Sequence, residues 1–167
     1  MAIIRRTITW STALGISLVG AAIWGSAAQP AGAEVPDPVQ EYVDAAMLAE
    51  PGGTQIGPGI VEWDNGAAIL TVRDLDGTNL RRAVGSCATG SICVYGSTSL
   101  AGARLAFTTC STFSTAGLGA VVKSMANARN SGYARGYNSA GAILTTLAPT
   151  VSLNSAPAGL VKVSCSA

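Results

Sequence analysis

Along this chain the apolar positions follow first a helical and then a strand-like rhythm. Val39, Tyr42, Val43, Ala46 and Met47 recur at the spacing of one helix face, and Glu41, Asp44 and Glu50 fall outside that stripe. Asp37 before Pro38 reads as an N-cap with proline at the first helical position, and Gln40 stands where a capping-box partner would. Pro51-Gly52-Gly53 ends the helix. Two short β runs follow, Ile60-Val61-Glu62-Trp63 and residues 67–72, joined by Asp64-Asn65-Gly66 as an Asn-Gly hairpin. Trp63 is read as a packing residue. Beyond a second turn at 74–79, containing Asp76-Gly77, the apolar runs are short and β-rich: 91–95, 104–108, 119–123, 142–147 and 160–164. Gly, Ser, Asn and Pro punctuate them, which predicts a mainly β fold, a Greek-key sandwich or small barrel, preceded by a short helix and a β-hairpin. Alanine content allows a helix over 116–128 as the alternative for that stretch.

The first 33 residues break this rhythm. Arg5 and Arg6 precede a long uncharged run, with Leu14, Ile16, Leu18 and Val19 in an apolar stretch over 8–23 and Ala31-Gly32-Ala33 as a small-x-small site. That order predicts a cleavable export signal over 1–33, cut before Glu34, with Ser26-Ala27-Ala28 as a competing site. An uncleaved anchor is the alternative, since a stretch of about 18 apolar residues just spans a bilayer. No Phe-Leu-Lys follows the arginine pair, which favours the general export route over the twin-arginine one. The expected location is therefore extracellular.

Charge changes the picture of the remainder. All nine acidic residues lie before residue 77, where Arg73 is the only base after the leader. From residue 77 on there is no Asp or Glu, and the cations are Arg81, Arg82, Arg104, Lys123, Arg129, Arg135 and Lys162. This predicts an acidic helix-plus-hairpin appendage over 34–76 and a basic body over 77–167. Mutual neutralisation of the two halves is one reading; a cationic face for an anionic wall polymer, membrane or acidic protein is the other. The bases are scattered and carry few aromatics between them, so nucleic acid is not expected as a partner. A monomer is expected.

Cys87, Cys93, Cys110 and Cys165 all fall in the acid-free half. Four cysteines allow three pairings; Cys87 and Cys93 frame a short glycine-containing turn, and a local bridge there leaves Cys110 to tie Cys165. There is no C-x-x-C pair, so a thiolate zinc site has little support and no metal is expected.

Histidine is absent, which removes Ser-His-Asp and Cys-His nucleophile systems and His-ligated metals. The carboxylate pairs Glu41/Asp44 and Asp74/Asp76 read as helix-face and turn residues rather than as an acid and a base. Gly57-Pro58-Gly59 and Gly117-Leu118-Gly119 lack the rest of a phosphate-binding loop, so no cofactor is expected. Lys123-Ser124 leaves a lysine-assisted serine formally open, although neighbours on a strand point to opposite faces. The chain is expected not to be an enzyme.

The segment Cys87-Ala-Thr-Gly-Ser-Ile-Cys93-Val-Tyr95, followed by Ser99-Leu100-Ala-Gly102-Ala-Arg104, resembles the secreted Streptomyces metalloproteinase inhibitor family and its βγ-crystallin-like relatives. The resemblance covers about residues 51–130. It implies a βγ-crystallin-like Greek key in which the Tyr95 ring covers a hairpin and Gly102 takes a backbone conformation that a β-carbon opposes. Val122-Lys123-Ser124-Met125-Ala126-Asn127 looks like the family's serine-containing strand ending at an asparagine. Calcium-binding crystallins place oxygen ligands before a serine pair; here residues 119–124 carry no carboxylate, and no calcium site is expected.

The resemblance implies a secreted inhibitor of an extracellular metalloproteinase, acting by loop insertion. The family's second short disulfide is missing here, and the comparable region is Thr145, Thr146, Leu147, Ala148, Pro149 and Thr150, with Leu147 to fill an apolar pocket and Pro149 to stiffen the loop; an ordinary inter-strand loop is the alternative, and the one its sequence favours. The alternative is a cell-surface or antimicrobial binding protein that uses the basic half.

Overall fold

A computed structural model describes residues 37–72 and 86–166, all within one compact unit spanning Val35–Ala167. The export signal over 1–33, the turn at 74–79, Arg81 and Arg82 lie outside the described residues.

Helix α1 (Pro38–Ala49) forms where the stripe predicts it, and Asp37 caps it by accepting from the Val39 N–H. Gln40 does not close a capping box. Its amide pairs with Asp44 at 2.8 Å and with Gln55 at 3.2 Å, tying the helix to the strand beside it. Val43 and Ala46 face inward and are fully buried.

The strands are β1 (Thr54–Gly57), β2 (Ile60–Trp63), β3 (Ala68–Thr71), β4 (Ile92–Tyr95), β5 (Arg104–Phe107), β6 (Thr112–Ser114), β7 (Ser124–Asn127), β8 (Ala134–Tyr137), β9 (Ile143–Leu147), β10 (Val151–Leu153) and β11 (Lys162–Cys165). They make two antiparallel sheets, one ordered β1-β2-β3-β5-β4-β7-β10 and one ordered β6-β11-β8-β9. Leu70, Val94, Leu105 and Met125 of the first sheet share a core with Ala134, Leu147 and Val163 of the second. Phe107 of β5 stacks on Phe113 of β6 with centroids 4.8 Å apart, so an aromatic pair bridges the sheets. The protein is thus mainly β, with the arrangement of a β sandwich.

The charge boundary at residue 77 is not a boundary of the fold. Strand β3 from the acidic stretch pairs along its whole length with β5 from the basic stretch, in register from Ala68↔Phe107 to Thr71↔Arg104. The Tyr42 hydroxyl donates to the Leu118 carbonyl at 2.6 Å, and Trp63 is 7% exposed in the common core. Residues 37–72 are therefore an integral edge of the larger sheet rather than an appendage. Charge segregates along a chain at no cost to a shared apolar core, and so does not report where that core ends.

Other expectations also shift. The β2–β3 connection spans residues 64–67, with Asp64, Asn65 and Gly66 all at positive φ, longer than a two-residue Asn-Gly turn. No strand forms over 119–123. Leu118 and Val122 both reach the core from a single 3-10 turn (Ala116–Leu118) and the loop after it, so burial is met without strand pairing or a helix over 116–128. The strand begins instead at Ser124.

Both disulfides join the expected partners, Cys87 to Cys93 and Cys110 to Cys165. The first is fully buried on the outer side of the larger sheet with Tyr95, Ala106 and Ala126. The second fastens the loop between β5 and β6 to the end of β11.

Candidate functional site

Strand β9 is an edge of the smaller sheet and β10 an edge of the larger one, so the turn at 148–150 carries the chain from one sheet to the other. Thr145, Thr146 and Leu147 belong to β9, not to a loop. Leu147 is 5% exposed and points into the core, so it is not available to fill a pocket on another protein. Strand alternation decides this: the Cα partner of Leu147 is the inward-facing Ala134. Ala148 and Thr150 are exposed, Pro149 is half-buried, and Thr150 sits at φ +61.

Asn127 holds this turn. At the end of β7 and fully buried, its amide donates to the carbonyls of Leu147 at 3.2 Å, Ala148 at 3.1 Å and Gly132 at 3.2 Å. Its carbonyl oxygen accepts from the Arg129 N–H at 3.3 Å. One side chain thereby fixes two neighbouring loops, at residues 128–132 and 147–150.

The described cations do not form one face. Arg104 lies half-buried on the outer side of the larger sheet, where its guanidinium donates to the Ser86 carbonyl and to the Thr71 hydroxyl. Lys123 is exposed in the loop before β7, and Arg129 donates to the Cys165 sulfur. Among the described cations only Arg135 and Lys162 are brought together. On the outer face of the smaller sheet, register places Thr112, Ser164, Arg135 and Thr146 in one row across the four strands. Ser114, Lys162, Tyr137 and Ile143 form the next row. The Tyr137 and Ser164 hydroxyls hydrogen-bond at 2.9 Å, and Ser114 accepts from the Ala116 N–H.

Sequence reading missed this face because β8 shows the core only Ala134 and Gly136, too small to mark a buried strand. Gly136 is required by close approach: a β-carbon there would lie 2.5 Å from the Leu160 side chain. The legible signal was the outward alternation Tyr133-x-Arg135-x-Tyr137.

A depression of about 290 Å³ lies between the end of α1 and β6, lined by Glu50, Trp63, Asp64 and Phe113 among others. Its indole is already engaged, donating to the Glu50 carbonyl at 2.9 Å. Among the described residues no group of three or more Cys, Asp or Glu is placed to hold a metal ion, and no helix is long and apolar enough to cross a membrane.

No protein-family model, no curated protein and no solved structure matches this chain.

Proposed function

We propose that this is an exported, βγ-crystallin-like protein that acts by binding, and that it inhibits an extracellular metalloproteinase through the 148–150 turn. The observation that carries the reading is the Asn127 clamp. A loop already fixed in one shape loses less conformational entropy on entering a protease cleft. Here the buried Asn127 amide, hydrogen-bonded to the Leu147 and Ala148 carbonyls at the base of the turn and to Gly132 in the loop beside it, takes the place of the short disulfide that closes the corresponding loop in the inhibitor family. The presented residues are Ala148, Pro149 and Thr150 rather than Leu147.

Two further features support the crystallin-like part. Gly102, at φ +75, has the Ser97 hydroxyl 2.7 Å from where a β-carbon would stand, and Tyr95 is fully buried beside the Cys87–Cys93 bridge. Ser124 reaches from β7 to the 96–103 hairpin and bonds it twice. Export is supported by the two disulfides, which persist in oxidising compartments.

The test is a titration of the oxidised protein against a thermolysin-type metalloproteinase, with a serine protease alongside. Stoichiometric loss of metalloproteinase activity alone is the expected result. Full activity at a molar excess of this protein would remove the inhibitor reading.

A further inference from the structure

We infer that the outer face of the β6-β11-β8-β9 sheet binds an acidic polysaccharide, a role separate from the turn at 148–150.

Three properties of the face converge on that ligand. The first is charge. Lys162 and Arg135 occupy diagonal positions on adjacent strands, about 7 Å apart, and neither row across the face contains a carboxylate. The two side chains thus rise from neighbouring positions on one face, and no carboxylate on that face neutralises them. An anionic group lying between them is attracted by both, and the arginine fork can grip a carboxylate with two hydrogen bonds.

The second property is the column along β8. Arg135 stands between Tyr137 and Tyr133, the latter 50% exposed just before the strand, while the inward-facing Ala134 is fully buried. Residues two apart on a strand are separated by roughly 6.8 Å. An aromatic, a cation and an aromatic in a line suit a chain of sugar rings, whose C–H faces lie on amphipathic tyrosine rings while an acidic substituent meets the guanidinium.

The third is the surround of hydroxyls. Thr112 and Thr146 are exposed at the two ends of the arginine row, with Ser164 between Thr112 and Arg135. Hydroxyls both donate and accept, which matches a polyhydroxylated ligand. The same composition argues against the other anionic partners. Ile143, 57% exposed, is the only large aliphatic side chain in the two rows, too little for insertion among lipid tails. Two cations are also few for a nucleic-acid backbone, where affinity grows with each phosphate neutralised.

Electrophoresis of the oxidised protein through gels containing polygalacturonate, with neutral dextran gels as reference, tests the assignment. The wild-type protein is expected to be retarded by polygalacturonate and not by dextran. The Arg135→Gln, Lys162→Gln double variant should bind roughly tenfold more weakly. Tyr133→Ala, which alters no charge, should also weaken binding several-fold. Lys123→Gln removes an exposed cation elsewhere and should bind as the wild type does. All four substitutions are on exposed or half-exposed positions, and an unchanged unfolding midpoint certifies each variant. Absence of retardation overturns the inference, as does equal weakening by Lys123→Gln, which would mean unspecific charge attraction. An unaffected Tyr133→Ala overturns the glycan assignment. Equal or tighter binding to phosphatidylglycerol vesicles, lost in the double variant, overturns it in favour of a membrane.

Discussion

The Ser124 hydroxyl accepts a hydrogen bond from the Leu100 N–H at 3.0 Å and at the same time donates to the Ser97 carbonyl at 2.6 Å. Leu100 and the preceding Ser99 have φ of +60 and +57, a conformation that costs non-glycine residues roughly 1–2 kcal/mol each. A serine on β7 thus holds a strained hairpin against the sheet, and Tyr95 is packed beneath it. Ser124→Ala is expected to lower stability by about 1–2 kcal/mol, since the half-buried Leu100 N–H loses its acceptor and the Ser97 carbonyl its donor. Adding Ser99→Gly, at an exposed position, should recover about 1 kcal/mol by relieving the left-handed strain. Urea unfolding of the single and double variants measures both. A Ser124→Ala protein as stable as the wild type would show that the hairpin is held by its packing alone.

The two disulfides should differ in worth according to the chain they close. Cys110 and Cys165 are 55 residues apart and Cys87 and Cys93 only 6. By loop-closure entropy the long bridge contributes about 4 kcal/mol and the short one about 2 kcal/mol. Replacing Cys110 and Cys165 with serine should therefore give the larger drop in urea midpoint. The short pair is buried, so alanine is the fitting substitute there, and it adds a packing loss to the entropic one. If the short pair proved the costlier, its cover over Ala106 and Ala126 would outweigh the chain-entropy difference.

Alkaline pH should reveal two phenols sheltered by the fold, Tyr42 half-buried and Tyr95 fully buried. Burial raises the Tyr42 pKa above its ordinary value, and burial likewise raises that of Tyr95, opposed by the Ser86 hydroxyl and by the charge of Arg104. A folded-state pKa above the unfolded one favours the native state below the unfolded value of roughly 10. That stability is lost as pH rises through the folded pKa, because the unfolded chain releases its phenolic protons first. Stability attributable to these groups should thus be level below about pH 10 and decline above it. Ultraviolet titration of Tyr42→Phe and Tyr95→Phe against the wild type assigns the late-ionising groups. Tyr42→Phe also frees the Leu118 carbonyl and should cost about 1 kcal/mol at neutral pH.

What the sequence made legible follows from how strongly each feature is tied to local chemistry. The capped helix was readable because Asp37, Pro38 and a five-residue apolar stripe agree with one another. The cysteine pairs were readable because a six-residue spacing suits a local bridge and leaves one partner for Cys110. Leu147 was misread because a leucine near a proline resembles a loop anchor equally well in solvent or in a core, and only pairing with β8 decides its direction. Strands β1, β6, β8 and β10 escaped because they are edges or face the core with small residues. The Asn127 clamp depends on contacts 5 to 21 residues away in sequence, which no local pattern encodes.

That clamp also gives a way to separate fold from function. Asn127→Ala removes the side-chain donor from the Leu147 and Ala148 carbonyls, the latter keeping only the long bond from the Val151 N–H at 3.4 Å, and is expected to cost about 2 kcal/mol. Any weaker inhibition by that variant would mix lost stability with a loosened turn. Pro149→Gly keeps all three clamp bonds and increases backbone freedom at the tip, at a stability cost of about 1 kcal/mol. If the rigid turn is what enters the protease, inhibition by Pro149→Gly should weaken by roughly tenfold while its urea midpoint moves only slightly. Leu147→Ala serves as the counterpart: it removes core packing worth about 2–5 kcal/mol, yet in the remaining folded fraction the turn is presented by the same residues. Inhibition that is lost in Leu147→Ala at full folding, and kept in Pro149→Gly, would move the contact away from the turn tip and onto β9.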